Sequence, residues 1–303
     1  MIFSSYKNCK ILITGGAGFI GSHLAEKLIE HGAEVTILDN FSTGSLANLA
    51  MVIDSLTILE GTITDYKMCL RATEGKQIIF HCAAQTSVPE SMENPLFCYK
   101  TNVEGMYTLL EAARINKVQR FVFSSSSAVY GEREGKCVEN LLCMPASPYG
   151  YSKLMGELLC QNYYRQFNLE TVILRYFNVY GPRQDPHGQY SAAIAKFRYQ
   201  MQQKKPIMMF GDGQQTRDFI PVSEVVQANL NLGMASHHKV AGEVFNIATG
   251  TSITLLQLIK NLQETEFADY EPEIMFAPAR SGDIRRIEAD CSKYRNIVQE
   301  NSL

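Results

Sequence analysis

Lys10-Ile11-Leu12-Ile13-Thr14-Gly15-Gly16-Ala17-Gly18-Phe19-Ile20-Gly21 is the stretch whose reading decides the fold. Five residues, mostly apolar, make a buried strand, a glycine cluster makes a tight turn, and an apolar helix pattern runs from Phe19 to His31, with Gly32 closing it. The glycines satisfy both G-x-G-x-x-G and G-x-x-G-x-x-G spacing. Such a turn lets backbone N–H groups and a helix N-terminus approach a pyrophosphate. A glycine turn alone is common. Here it sits between a strand and a helix, and an acid, Asp39, stands 18 residues beyond Gly21 at the end of the next strand, Glu34–Leu38. A carboxylate there can accept from adenosine ribose hydroxyls and would repel a 2′-phosphate, so NAD is expected over NADP. The competing reading of Asp39 is a plain turn residue before Asn40.

The same rhythm continues outward. Ile78–Cys82 and Arg120–Ser124 read as strands, separated by helical spacing over Pro95–Asn116, and the helix Tyr149–Phe167 leads to the strand Thr171–Arg175. Strands alternating with helices imply an α/β fold, a Rossmann-type doubly wound parallel sheet covered on both faces. Beyond Asn178 turn-forming pieces such as Gly211-Asp212-Gly213 break the pattern. We therefore expect a dinucleotide-binding domain over 1–178 and a smaller α/β C-terminal substrate domain over 179–303. Part of the latter, around 220–250, is expected to return to the main sheet through Val244–Ala248.

Composition sets the class. Of 303 residues, 46% are hydrophobic and 19% charged, and 28 Lys+Arg against 31 Asp+Glu leave a net charge of −3. That balance excludes a disordered chain and gives no electrostatic footprint for nucleic acid or an anionic membrane. The eight cysteines form no C-x-x-C pair and no ligand cluster, so they read as small buried hydrophobes in a reducing compartment, with no metal. No segment approaches the ~20 apolar residues that span a bilayer, and Met1–Lys7 does not read as a signal peptide. A cytoplasmic protein is the expectation.

Two features carry chemistry. Tyr149 and Lys153 stand four apart on one face of a helix that Pro148 can start. Tyrosine ionises near ~10, so acting as a base near neutrality requires its phenolate to be favoured, and a nearby ammonium supplies one reason for that spacing. Upstream, Ser124-Ser125-Ser126-Ser127 ends a strand at the sheet's carboxyl edge, where ligands bind in such folds. A hydroxyl there could bind a substrate oxygen; the bland reading is a Ser-rich loop.

Together with Arg175-Tyr176-Phe177-Asn178, Gly211-Asp212-Gly213-Gln214-Gln215-Thr216-Arg217-Asp218-Phe219 and Arg280-Ser281-Gly282-Asp283, these motifs resemble the extended short-chain dehydrogenase/reductase family. The resemblance runs from Ile11 to about Asp290 and is greatest to the family's UDP-sugar 4-epimerases. It implies a catalytic set of Ser126, Tyr149 and Lys153, with Tyr149 as base and then acid, and Lys153 holding the nicotinamide ribose and depressing the tyrosine pKa. Implied cofactor contacts are Gly15, Gly18, Phe19, Ile20, Gly21, Asp39, Asn40, Phe41, Ser42, Thr43, Gly44, Thr62, Ile63, Ala83, Ala84, Thr86, Asn102, Ser124 and Phe177, beside Tyr149 and Lys153. Implied substrate contacts are Ser87, Ser126, Asn178, Arg217, Arg280, Asp283 and Ile287, the arginines suiting a diphosphate through paired hydrogen bonds. The substrate implied is a UDP-sugar, the reaction a reversible oxidation at C4 with NAD retained, and the assembly a homodimer through helices near Asn102–Ala113 and Tyr149–Phe167.

Three departures from the family pattern stand out. The usual Gly-Asp-Ile after the third strand is Gly61-Thr62-Ile63, whose hydroxyl can accept without charge. The position that gates N-acetylated sugars is occupied by Ile287, intermediate between a bulky aromatic and a small residue, while the segment from Arg183 to Lys196 resembles epimerases of N-acetylated UDP-sugars. The chain stops at Leu303, short of the family's closing helix-and-loop segment. Ser127 and Ala128 occupy places where a dehydratase would carry acids. Alternatives are another nucleotide-sugar oxidoreductase or dehydratase of the same family, and a non-catalytic dinucleotide-binding sensor.

Overall fold

In a computed structural model, which describes residues 5–185, 193–279 and 284–301, seven strands form one parallel sheet. They are β1 (Lys10–Thr14), β2 (Glu34–Asp39), β3 (Leu56–Glu60), β4 (Ile78–His81), β5 (Arg120–Ser126), β6 (Glu170–Tyr176) and, after three short strands elsewhere, β10 (Glu243–Ile247). Their order is β10-β6-β5-β4-β1-β2-β3, and every neighbouring pair is parallel. The strand order reverses direction between β1 and β4, so a crevice opens there beyond the carboxyl ends.

Parallel strands buried on both faces must be apolar throughout, and β1 obeys. Ile11 and Ile13 join the core against α1 (Phe19–Glu30), whereas Leu12 joins the core of the opposite face. That second core is completed by α2 (Tyr66–Thr73), α5 (Gly105–Ile115) and α6 (Pro148–Phe167), while the short helices α3 (Val88–Glu93) and α4 (Pro95–Tyr99) pack on α6. The helical spacing expected over Pro95–Asn116 is not one α-helix. Lys100–Glu104 is a π-helical segment between α4 and α5, and the widened turn carries Asn102 inward.

Past β6 come β7 (Asn178–Tyr180), α7 (Ala193–Gln202), β8 (Ile207–Phe210), β9 (Thr216–Pro221), α8 (Val222–Met234), α9 (His237–Val240), β11 (Ser252–Thr254), α10 (Leu255–Glu266) and β12 (Ile274–Ala277). Strands β11, β9 and β7 form a small sheet, and β12 pairs with β8. Helices α7 and α10 cover a separate apolar cluster there, around Phe197, Met209 and Leu258. Helix α8 instead returns to the main sheet and packs on the α1 face. At the end of the described residues, Ser292–Asn301 forms α11. Ile297 buries in the main core there, because Tyr294 and Ile297 fall on one side of that helix.

One buried cation ties the amino edge of the sheet together. Arg120 of β5 is 0% exposed; its Nε and Nη2 donate to Glu170 of β6, and its Nη1 donates to the carbonyls of Leu232, Gly233 and Ala235 at the end of α8. Arg120→Met leaves the Glu170 carboxylate and three carbonyls without this partner. We expect a loss of roughly 3 kcal/mol in urea unfolding; a change below about 1 kcal/mol would show the cluster to be incidental.

Candidate active site

The glycine turn is shaped by a close backbone approach. Gly15 has φ +67°, and a Cβ there would lie 2.6 Å from the Ala83 nitrogen, so β1 and β4 meet at the switch point with no room for a side chain. Helix α1 begins at Gly18 with no side-chain cap and no acid in its first turn, which leaves its N-terminal amides available to an anion. Asp39, buried at the end of β2, accepts from Ala17 N at 2.9 Å and from Phe41 N at 2.8 Å. Each carboxylate oxygen therefore keeps a lone pair for a further donor. The segment Asn40–Gly44 folds back on the turn: Ser45 N donates to Ala17 O at 3.0 Å, and a Cβ on Gly44 would touch Ala17. Phe19, Ile20 and Gly21 open α1, while Thr62 and Ile63 follow β3. The Thr62 hydroxyl bonds Thr64 locally at 3.0 Å. Ala83, Ala84, Thr86 and Ser87 follow β4, and the Ser87 hydroxyl caps α3 by accepting from Glu90 N. This side of the crevice fits a dinucleotide: tight glycine backbone, an uncapped helix start and a buried acid lie side by side.

Two expected cofactor contacts also serve inside the protein. Asn102 spends its amide within the protein, accepting from Gln85 N (2.8 Å) and donating to Gln85 O (2.9 Å) and to the Ser152 hydroxyl (2.9 Å). It clamps the loop after β4 to α6 because the π-segment points it inward. Phe177, 1% exposed, packs with Val129, Tyr130 and Ile287 behind the crevice. A buried aromatic after β6 is held there by the core.

On the other side, Ser147 caps α6 by accepting from Gly150 N at 3.1 Å, and Pro148 supplies a preset first turn. Tyr149 and Lys153 then share one face. Tyr149 lines the crevice together with Ser126 at the end of β5. Lys153 donates from Nζ to Ser124 O at 2.8 Å, and its Nζ lies 5.9 Å from the Tyr149 ring centre. Burial raises the Tyr149 pKa, and the opposing pull comes from the Ser126 hydroxyl. Lys153 was expected to depress the tyrosine pKa; in this geometry its ammonium is engaged by the Ser124 carbonyl instead. Burial lowers Lys153 itself to about 8, against Cys82, Cys98 and Glu157, which favour its charge.

Ser126, Ser127, Ala128 and Tyr149 face Asn178, Arg217 and Ile287 across a crevice of about 320 Å³ that also takes in Val88, Lys196, Phe210 and Gln215. The two halves of the chain thus set Ser126 and Tyr149 opposite Asn178, Arg217 and Ile287, while Lys153 and Ser87 do not line the crevice. Arg280 and Asp283 lie outside the described residues. Sequence reading missed Gln215 as a lining group and gave no role to Glu157. The latter was legible in principle, as an acid four residues past Lys153 on the same buried face.

Comparison with known proteins agrees with this arrangement. Residues 11–248 match the NAD dependent epimerase/dehydratase family. The chain belongs to that family. It is therefore an enzyme of an NAD-dependent group with the extended short-chain dehydrogenase/reductase fold, and NAD is the cofactor, in keeping with the acid at Asp39. A putative UDP-glucose 4-epimerase of Methanocaldococcus jannaschii is 39% identical over 290 residues, 95% of this chain and 92% of the relative. Among solved structures, the UDP-glucose 4-epimerase of Thermotoga maritima with UDP-glucose superimposes with a TM-score of 0.88 at 39% identity, covering 95% of this chain and 91% of the other. The UDP-N-acetylglucosamine 4-epimerase of Methanobrevibacter ruminantium, in complex with UDP-N-acetylmuramic acid, gives 0.89 at 35%, covering 96% and 92%. The family's chemistry is wider than epimerisation: a dTDP-glucose 4,6-dehydratase of Streptomyces niveus and a UDP-N-acetyl-alpha-D-glucosaminuronate decarboxylase of Bacillus cytotoxicus are each 32% identical, covering 94% and 98% of this chain and 86% and 95% of the relatives.

The cofactor-free site makes a direct prediction. Difference absorbance of the wild type against Tyr149→Phe should show Tyr149 ionising above the ~10 of free tyrosine, and Ser126→Ala should move it higher still. Ionisation at or below the free value would contradict the buried geometry.

Proposed function

We propose that this chain epimerises C4 of a UDP-sugar, either UDP-GlcNAc/UDP-GalNAc or UDP-Glc/UDP-Gal, through a transient 4-keto intermediate, with NAD bound throughout turnover. The observation that carries the reading is the Ser126–Tyr149 hydroxyl pair opening on the crevice one helical turn from the buried Lys153. Residues Gly15–Gly21, Asp39 and the Asn40–Gly44 segment would hold the dinucleotide. NAD, when bound, supplies a hydride acceptor at the reacting carbon and a ring whose oxidised form favours a neighbouring phenolate.

The protein's own part is proton handling and orientation. Ser126 donates to and positions the reacting oxygen; Tyr149 takes its proton and later returns it. Lys153 keeps a positive charge beneath the tyrosine while the Ser124 carbonyl fixes its direction. Arg217 at the crevice supports binding of a diphosphate, and Asn178, whose Nδ2 is held by the Asp218 carbonyl at 3.0 Å, offers its amide oxygen. Epimerisation is supported over dehydration because the crevice positions after Ser126 are Ser127 and Ala128, neither able to act as an acid near neutrality. Ile287 lines the same crevice, which supports a part for it in deciding which sugar is admitted.

The test is to follow C4 stereochemistry by NMR with UDP-glucose, UDP-N-acetylglucosamine and their uronic forms, without any external hydride donor. One of these should yield its 4-epimer, and Tyr149→Phe should lose that turnover while still retaining NAD. Absence of a 4-epimer from all of them would sink the reading in favour of another family reaction. Full activity in the variant would remove Tyr149 from it, and inactivity of an intact NAD-loaded protein toward every nucleotide sugar would point to a sensor.

A homodimer belongs to the same proposal. Helices α4, α5 and α6 leave Leu96, Tyr107, Met155 and Leu158 exposed, and Val103, Met155, Leu158 and Leu159 line a shallow apolar groove. A second copy laid against this face would cover it. Sedimentation should give a dimer that Leu158→Arg converts to monomer; a wild-type monomer at working concentration would refute it. The eight unpaired cysteines support a reducing, cytoplasmic setting. No helix of the described residues is long and apolar enough to cross a membrane.

A further inference from the structure

Beneath the proposed catalytic residues, α6 carries a buried acid that the reaction does not use. Tyr149, Lys153 and Glu157 follow at intervals of four, so one helix face presents all three. A carboxylate on that face is costly to bury, yet Glu157 is only 2% exposed. Arg175 of β6 answers it with two hydrogen bonds, Nε to Oε1 at 2.9 Å and Nη2 to Oε2 at 2.6 Å. Ser125 of β5 donates to the same carboxylate. Arg175 is held in turn, with Nη1 donating to Glu139 O at 3.1 Å and its guanidinium 4.7 Å over the Tyr130 ring.

The placement of Ser125 is the telling part. Two adjacent residues of β5 bind two different residues of α6: Ser124 O receives the Lys153 ammonium and Ser125 donates to Glu157, while Ser126, next along the strand, lines the crevice with Tyr149. Rotation or sliding of α6 against the strand would break both bonds together. A buried ion pair is weak evidence for stability, since apolar replacements are often neutral. Its value here lies in direction, because a bidentate pair tolerates little displacement.

We propose that Glu157, through Ser125 and Arg175, is a positioning residue that sets the rotation of α6 against β5 and β6 and so aims Lys153 and Tyr149 at the reacting carbon. The inference rests on the reading of Tyr149 and Lys153 as the catalytic pair. It extends to charge. The groups facing Lys153 are Tyr149 and Glu157 from its own helix, His81 and Cys82 from the end of β4, and Cys98 from α4. Burial, with Lys153 beside it, lowers His81 to about 3, so it is neutral at working pH. Burial pushes both thiols upward, so they too are neutral. Glu157, shared with Arg175, is then the carboxylate that favours the Lys153 ammonium.

The experiment compares Glu157→Gln with the double variant Glu157→Met/Arg175→Met, which removes both charges and is expected to fold even if the first, leaving a lone buried cation, does not. In each folded variant kcat should fall by about ten- to a hundredfold, with KM changed less than about threefold and bound NAD retained. The alkaline limb of kcat should move to lower pH, because Lys153 loses its proton sooner without the carboxylate. Ultraviolet titration of Tyr149 in the cofactor-free proteins should move upward as α6 turns away from Ser126, whose hydroxyl pulls that pKa down. A folded double variant with wild-type kcat, an unmoved alkaline limb and an unmoved Tyr149 titration would overturn the proposal. Tyr149→Phe measured alongside separates the two failures: if it stays active, the functional reading falls, and if it is inactive while the Glu157 variants match wild type, only the positioning role falls.

Discussion

Everything in this chain turns on the contact between the backbones of Gly15 and Ala83. Two parallel strands end there side by side, and the absence of a side chain on Gly15 lets their loops part above a narrow floor. From that point one loop leads into the uncapped start of α1, the other into the segment that Asn102 pins to α6. A Cβ at Gly15 would push the loops apart and with them the glycine turn from the face that carries Tyr149 and Lys153. The sheet's order, reversing between β1 and β4, is what places this contact at the mouth of the crevice.

The second constraint is the register of α6 on the end of β5. Two adjacent serines engage two helix residues spaced by four, which converts the rise of a helix and the pitch of a strand into a fixed meeting of Lys153 and Glu157 with Ser124 and Ser125, and leaves Tyr149 and Ser126 on the same crevice. The electrostatics follow from this burial. Tyr149 is pushed away from ionisation and Lys153 toward losing its proton, so the resting protein holds a poised pair that a bound cation can tip.

Much of the fold was legible because its elements obey local rules. The apolar run of β1, the glycine turn, the helix closed at Gly32 and the acid at Asp39 each follow from backbone sterics and side-chain period, and the observed elements match within a residue or two. The Pro95–Asn116 helix was misread at Lys100–Glu104, since a π-turn leaves no mark in apolar spacing. Asn102 and Phe177, expected at the cofactor on resemblance, have internal partners that come from elements remote in sequence: Ser152 of α6 for the first, Tyr130 and Ile287 for the second.

Sequence by itself determined the strand–turn–helix with its glycine turn, the carboxylate at Asp39, and the shared helix face of Tyr149 and Lys153, because each depends on residues within one or two turns of one another. Tertiary structure decided the rest. Only packing could bring Asn178, Arg217 and Ile287 from beyond β6 to face Tyr149, return β10 to the main sheet, and set Arg175 against Glu157. Those pairings join residues far apart along the chain, and it is the burial of both faces of one parallel sheet that closes the distance between them.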